Sequence, residues 1–346
     1  MKIDTKHHVS VFTIETWYDF EHFCEGCGPV VFRGQSDSTW DLTTNYEREF
    51  GASSNTINVS RESSMLHRCI AEGHLYISDC PASDDWVSWL AEMQHYGAST
   101  RLLDVTRSKY IALFFALTGM KAGDRKDGAV WAFDVAKSDK VLYGSLQKSL
   151  GHVIVDHMPA GFGEGILPYQ DIGWRIANSA VGCEPAGKIT VVDKTLTTCR
   201  RILNRYYRQG MIVHVMPKRI NRRLQAQQGE FLFPFNIART FVQNLLGPIG
   251  GLEYKDEICM FGNVESRKQA RVTTSPVVLK AVIPFSLRDE FMDRLIERNI
   301  SYQTLFPDEF GFMKSLQFQR NRHRLILKMK KSKGKGLRLS VNEFDL

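Results

Sequence analysis

The chain has 346 residues, 43 % of them hydrophobic and 11 % aromatic, which is enough for a large packed core and excludes a disordered composition. No run approaches eighteen apolar residues, which excludes a transmembrane helix, and the opening residues MKIDTKHHVSVF lack the apolar stretch of a secretory leader, so a cytoplasmic location is expected. Seven scattered cysteines exclude a disulfide scaffold, and the net charge of +7 resides in residues 320–346, which hold nine Lys or Arg against two Asp or Glu.

From the N-terminus, residues 10–24 carry Trp17, Phe20 and Phe23 at helical spacing with Ser10 as a cap, which predicts a helix ended by Gly26, Gly28 and Pro29. PVVFRGQ predicts a short strand that delivers Arg33, Gly34 and Gln35 at its end. Arg suits bidentate phosphate contact, and a glycine beside it lets a ligand approach the backbone. The Ser-, Thr- and Asn-rich residues 36–60 predict an irregular segment, and residues 61–77 a helix. Cys24 and Cys27 form a lone CxxC with no second pair at zinc spacing, so no metal site is expected.

A third helix opens at Ser83, Asp84 and Asp85, buries Trp89, Leu90 and Met93, and stops at Gly97, presenting His95 and Tyr96 at its end. TRLLDVT follows as a loop or short strand, with Thr100, Thr106 and Arg101 facing a polar ligand and Asp104 set to orient Arg101 or the backbone. It runs into an apolar helix over Tyr110–Leu117. Polar side chains at the edge of a core have the rigid support that a site needs.

GAVWAFDV reads as an internal strand, whereas GFGEG at Gly161–Gly165 is not GxGxxG and reads as a turn. KITVVD and MIVHVM read as strands flanking a helix with Arg200, Arg201, Arg205, Tyr206, Tyr207 and Arg208, a pattern able to bind phosphates and stack bases. In QQGEFLF, Gln228 and Glu230 stand at a strand mouth. VVLKAVIPF predicts a strand, SLRDEFMDRLIERNI a helix capped by Ser286, and TLFPDEFGFMKSLQ a turn and short helix.

Three stretches, FRGQSDSTWDLTTNYERE, QHYGASTRLLDVTRSKYIALFFAL and the later set GAVWAFD, QQGEFLF and TLFPDEFGFMKSL, resemble the FRG-domain family in their order, over roughly residues 12–320. The resemblance implies a divergent ADP-ribosyltransferase: an α+β fold with a split β-sheet core and surrounding helices over 1–320, followed by a basic extension over 321–346. It implies NAD as substrate without a metal. Arg33 would hold the pyrophosphate and ribose, with Gly34, Gln35, His95, Tyr96, Arg101 and Asp104 completing the NAD site. Thr100, or Thr106, would set the nicotinamide ribose. Glu230, or Gln228, would bond the ribose hydroxyls and steady the developing cation.

The family resemblance also implies a toxin in a bacterial toxin–antitoxin or anti-phage setting, with a possible antitoxin or chaperone partner and a macromolecular acceptor. Nucleic acid, RNA above all, is the expected acceptor, bound by Arg201, Arg205, Arg208, Lys330 and Lys331. Two other readings stay open: a non-catalytic nucleic-acid-binding module that uses Arg33 and Arg101, and a metal-independent nuclease with His95 as base.

Overall fold

A computed structural model describes residues 3–4, 9–25, 27, 29–52, 56–121, 123–135, 173–174, 176–178, 203–204, 207–208, 210–245 and 278–317. Strand β1 (Ile3–Asp4) and strand β2 (Val9–Thr13) precede helix α1 (Trp17–His22). The predicted helix over 10–24 is thus half strand: the β-branched and aromatic run Val9, Val11 and Phe12 forms β2, which pairs in parallel with a strand from the far end of the chain. The helix begins where Thr16 and Asp19 close a capping box, and Ser10 caps nothing.

Strand β3 (Val30–Gln35), helix α2 (Asn45–Phe50), helix α3 (Thr56–Glu72) and helix α4 (Trp86–His95) follow. The polar segment 36–60 is therefore partly helical: Thr44 caps α2 and Tyr46 is buried beneath it. Asp85 caps α4 through the Ser88 backbone N–H, and Gly97, at φ 92°, turns the chain out of it.

Strand β4 (Leu103–Thr106) leads through the Ser108 cap into helix α5 (Lys109–Gly119) and strand β5 (Gly128–Asp134). Strand β6 (Ile212–Val215), helix α6 (Arg222–Ala226), strand β7 (Gly229–Pro234) and helix α7 (Phe241–Leu245) come next. Strand β8 (Val278–Ile283), helix α8 (Arg288–Glu297) and helix α9 (Tyr302–Leu305) complete the set, with residues 309–317 also helical. Ser286 lies inside a 3-10 turn, Phe285–Leu287, and gives α8 no cap.

The strands form one mixed sheet in the order β1-β2-β8-β5-β3-β4-β7-β6, seven of them four residues or longer. The β2–β8 pair is parallel and every other pair antiparallel. Strands from both ends of the described chain thus share one sheet. The expected split into two sheets is not seen, since all eight strands belong to one sheet. β3 and β4 are joined by a single bridging pair, Phe32↔Thr106, whereas β3 and β5 pair along their whole length.

Strand alternation puts Phe32, Gly34, Asp104, Thr106 and Phe231 on one face of the sheet. Two helical layers cover that face. Over β8, β5 and β3, the all-round apolar α5 packs with α1 and α8 through Phe20, Phe32, Leu113, Phe114, Val130 and Phe291. Over β7 and β6, α3 and α4 pack through Leu66, Trp89, Leu90, Val213, Phe231 and Phe233. The layers meet above the weak β3–β4 joint. The opposite face buries Val31, Leu103, Val105, Trp131 and Leu232.

Gly34 holds α5 against the sheet. A Cβ there would lie 1.9 Å from the Ala112 carbonyl oxygen and 2.8 Å from the Ala116 nitrogen. The side of Gly34 where a ligand was expected is occupied by helix backbone, so this glycine serves helix–sheet packing.

Candidate active site

A cleft of about 700 Å³ opens between the two helical layers over the β3–β4–β7 strands. Its walls bring together β3 (Phe32, Arg33, Gly34), the end of α4 (Glu92, Gln94, His95, Tyr96), β4 (Asp104, Thr106), Phe115 of α5, and Gln227, Gly229 and Glu230 at the mouth of β7. A volume of this size lies in the range that encloses a cofactor-sized ligand. The three motif segments, remote in sequence, therefore converge on one concavity.

Arg33 reaches across the gap where β3 and β4 part. Its Nη1 donates to the Asp104 carbonyl oxygen at 2.8 Å and lies 3.8 Å from Asp104 Oδ2. That carbonyl faces a strand with which β4 shares only one bridge, so a side chain satisfies what a ladder bond does not. Arg33 Nε is buried and has no hydrogen-bond partner among the described residues. Burial lowers the guanidinium's pKa, the Asp104 carboxylate opposes the shift and Arg48 adds to it, yet arginine remains a cation.

Glu230 sits on β7 opposite Val105 and is only 2 % exposed. Its Oε2 is 2.6 Å from His214 Nε2, a diagonal neighbour on β6, and its Oε1 lies 3.2 Å from Arg107 Nε without hydrogen-bond geometry. Glu230 shares the sheet face of Val105 and Leu232, so its carboxylate is buried behind the strands that floor the cleft, hydrogen-bonded on one oxygen and only ion-paired to Arg107 on the other. His214 was legible in MIVHVM only as a polar residue in an apolar strand, and its partner could not be read from sequence.

Asp104 projects a carboxylate that is 60 % exposed. Its Oδ1 accepts from Gln94 Nε2 at 2.6 Å, and Gln94 Oε1 in turn accepts from the Thr100 hydroxyl. Thr100 is 0 % exposed, also receives the Leu102 backbone N–H, and does not line the cleft, so it has no surface from which to touch a nicotinamide ribose. Thr106 does line the cleft, but its hydroxyl donates to the Gln227 carbonyl and accepts from Ser108 N–H.

Three further assignments are corrected. Arg101 does not face the cleft and is not oriented by Asp104: it is buried, its Nε and backbone N–H both donate to the fully buried Glu62, and its guanidinium lies 5.1 Å over the Phe233 ring. Gln35 is buried and ties the following loop to the sheet, donating to the Asp41 carbonyl and accepting from Trp131 Nε1 at 2.5 Å. Gln228 is an exposed turn residue at φ 46° whose carbonyl accepts from Arg107 N–H, and Glu230 is the cleft-lining position of that motif.

His95 packs edge-on against Tyr96 with centroids 5.0 Å apart, and among the described residues no carboxylate bonds its imidazole. Tyr96 is 68 % exposed at the cleft rim. Sequence reasoning left out Arg219, held by Asp79 and the Cys80 carbonyl, and Arg223, stacked 4.5 Å over Phe306, both of which line the cleft.

Of the expected nucleic-acid contacts, Arg208 is exposed, whereas Tyr207 is buried against Phe235 and has no face for a base. Arg201, Arg205, Lys330, Lys331 and the GFGEG and KITVVD stretches lie outside the described residues. Cys24 packs beside the α5 core and burial holds its thiol above the ordinary value. Among the described residues no group of three or more His, Cys, Asp or Glu is placed to hold a metal, and no helix is long and apolar enough to cross a membrane.

Residues 28–125 match the family described as FRG domain. That stretch covers β3 through the loop before β5 and so contains Arg33, the Gln94–Asp104 pair and α5, but not Glu230. No curated protein and no solved structure matches the chain.

Proposed function

We propose that the cleft binds NAD and that the protein transfers its ADP-ribose to a macromolecular acceptor. One observation carries this reading. Two buried polar atoms of opposite character, Arg33 Nε and Glu230 Oε1, lack hydrogen bonds in residues that line the same cleft. A buried, unbonded donor and acceptor each cost roughly 1–3 kcal/mol, a penalty that a suitable ligand removes. Such a ligand carries an acceptor anion for the guanidinium and a hydroxyl donor for the carboxylate. A ribose joined to a pyrophosphate meets both demands.

In this mechanism Arg33, anchored to β4 through Nη1, clamps the pyrophosphate and immobilises the dinucleotide. Glu230, anchored through His214, accepts from a ribose hydroxyl and stabilises positive charge developing at C1′. The C1′–N bond breaks with its electron pair going to the pyridinium nitrogen, so nicotinamide leaves neutral. An acceptor oxygen or nitrogen then bonds C1′ and releases its proton to solvent. The basic residues 320–346 and exposed Arg208 favour nucleic acid, RNA first, as acceptor. A role as a bacterial defence toxin restrained by an antitoxin fits the same reading.

The test is incubation with NAD labelled in its adenylate half, together with RNA, DNA or total protein, while nicotinamide release is followed. Arg33→Ala and Glu230→Gln each lower turnover by about 10²–10³-fold with the fold retained. Absence of both label transfer and nicotinamide release from the unaltered protein overturns the reading.

A further inference from the structure

Asp104 is built differently from the other acids of the cleft. Asp79 is closed by Arg219, and Glu230 is buried beside His214 and Arg107. The Asp104 carboxylate stands 60 % exposed at the joint where Arg33 crosses, with one oxygen held and the other open. Arg33 Nη1 donates to the Asp104 carbonyl and, at 3.8 Å from Oδ2, is an ion-pair neighbour beyond hydrogen-bond range.

The held oxygen is set from behind. The carboxylate can only accept, so Gln94 must turn its NH₂ toward Asp104 and its carbonyl oxygen toward the Thr100 hydroxyl. Thr100 is fully buried and cannot follow solvent. The unit therefore presents to the cleft a fixed carboxylate oxygen and, next to it, the second amide N–H of Gln94. A hydroxyl that donates to the first and a neighbouring oxygen that accepts from the second make a vicinal diol. Glu92 lies on the same wall and adds to its negative charge. Phosphate diesters, one negative charge each, are drawn to the Arg33 side, whereas a phosphate monoester with about −1.5 to −2 charge is repelled from the Asp104 wall.

We infer that Asp104, positioned by Gln94 and Thr100, reads a ribose 2′,3′-diol and rejects a 2′-phosphate, so that the cleft takes NAD and excludes NADP. The inference rests on the reading of the cleft as a dinucleotide site. The physical logic is that by which an acid beside a ribose excludes the phosphorylated cofactor in other nucleotide folds. Asp104 touches the ligand, while Gln94 and Thr100 act through it.

The experiment measures NAD and NADP separately, by calorimetric Kd and by nicotinamide release, in the unaltered protein and in Asp104→Asn. The unaltered protein prefers NAD by at least about tenfold, and Asp104→Asn narrows that ratio by about tenfold. Asp104→Ser, which also removes the charge, gives the same narrowing if the asparagine variant misfolds. Thr100→Val narrows the ratio through the loosened Gln94, and Thr100→Ser restores it, which a purely structural threonine would not do. A ratio unchanged in both Asp104 variants, or an unaltered protein that takes NADP as well as NAD, overturns this inference and leaves the NAD reading standing. Failure of the unaltered protein to bind either dinucleotide overturns the NAD reading and this inference with it.

Discussion

Arg33 and Arg101 look alike in the sequence, each an arginine within a motif at the end or start of a short β-type run. In the fold they are opposites. Arg101 is closed within the core by a bidentate contact to Glu62 and by the Phe233 ring. Arg33 is held at one nitrogen by a backbone carbonyl, has a carboxylate near but not bonded, and keeps a buried Nε without a partner. Each keeps one buried nitrogen without a hydrogen bond among the described residues, Arg33 Nε and Arg101 Nη1, but only Arg33 lines the large cleft, whereas Arg101 is paired with a buried carboxylate away from it.

The sharpest way to break this contrast is to remove the partner of the core arginine. Glu62→Gln leaves the Arg101 charge buried and unpaired, and is expected to destabilise the fold by about 3–5 kcal/mol, read from denaturant melts. A small effect there would show that the Arg101 pair is not structural. Next is Gly34→Ala beside Arg33, whose Cβ meets the Ala112 carbonyl. A loss of about 1–3 kcal/mol or more is expected, together with weaker NAD binding, because α5 and Arg33 are displaced together.

Arg33→Ala inverts the pattern. Its melting temperature falls by no more than about 4 °C, while NAD no longer raises it. A large drop in stability would place Arg33 with Arg101 as a core residue. The smallest effect is at Asp37, where hydrogen bonds from Lys126 and Thr39 lower the carboxyl pKa from 3.8 to about 2. A depressed folded-state pKa contributes stability that is present above the unfolded value and lost as pH falls through the folded one. Melting temperature should therefore decline between about pH 4 and about pH 2, and Asp37→Asn should flatten that limb. An unchanged limb would assign the decline to other carboxylates.

Much of the fold was legible. β-Branched and aromatic runs announced β3, β5, β6, β7 and β8, and Asp85 and Gly97 bracketed α4. β2 was missed because Trp17, Phe20 and Phe23 extend a helical spacing backwards across a segment whose partner, β8, lies some 270 residues away. α2 was missed because Ser-, Thr- and Asn-rich composition hides a helix that is fixed by the Thr44 cap and by burial of Tyr46. In the site, the strand-mouth positions Arg33 and Glu230 were readable. His214, Arg107 and the Gln94–Asp104 pair were not, since each matters through a neighbour on another element.

Side-chain identity and period, both local, determined which segments are strands and helices and where charged groups stand at their ends. Only the tertiary structure decided which polar groups are used up inside the protein. Thr100, Arg101 and Gln35 have the chemistry of a site but meet Gln94, Glu62 and Trp131 across the fold, and a hydrogen bond already made internally is not open to a ligand. Arg33 and Glu230 each keep a buried atom without a hydrogen bond among the described residues while lining the cleft, a combination that only the assembled sheet reveals.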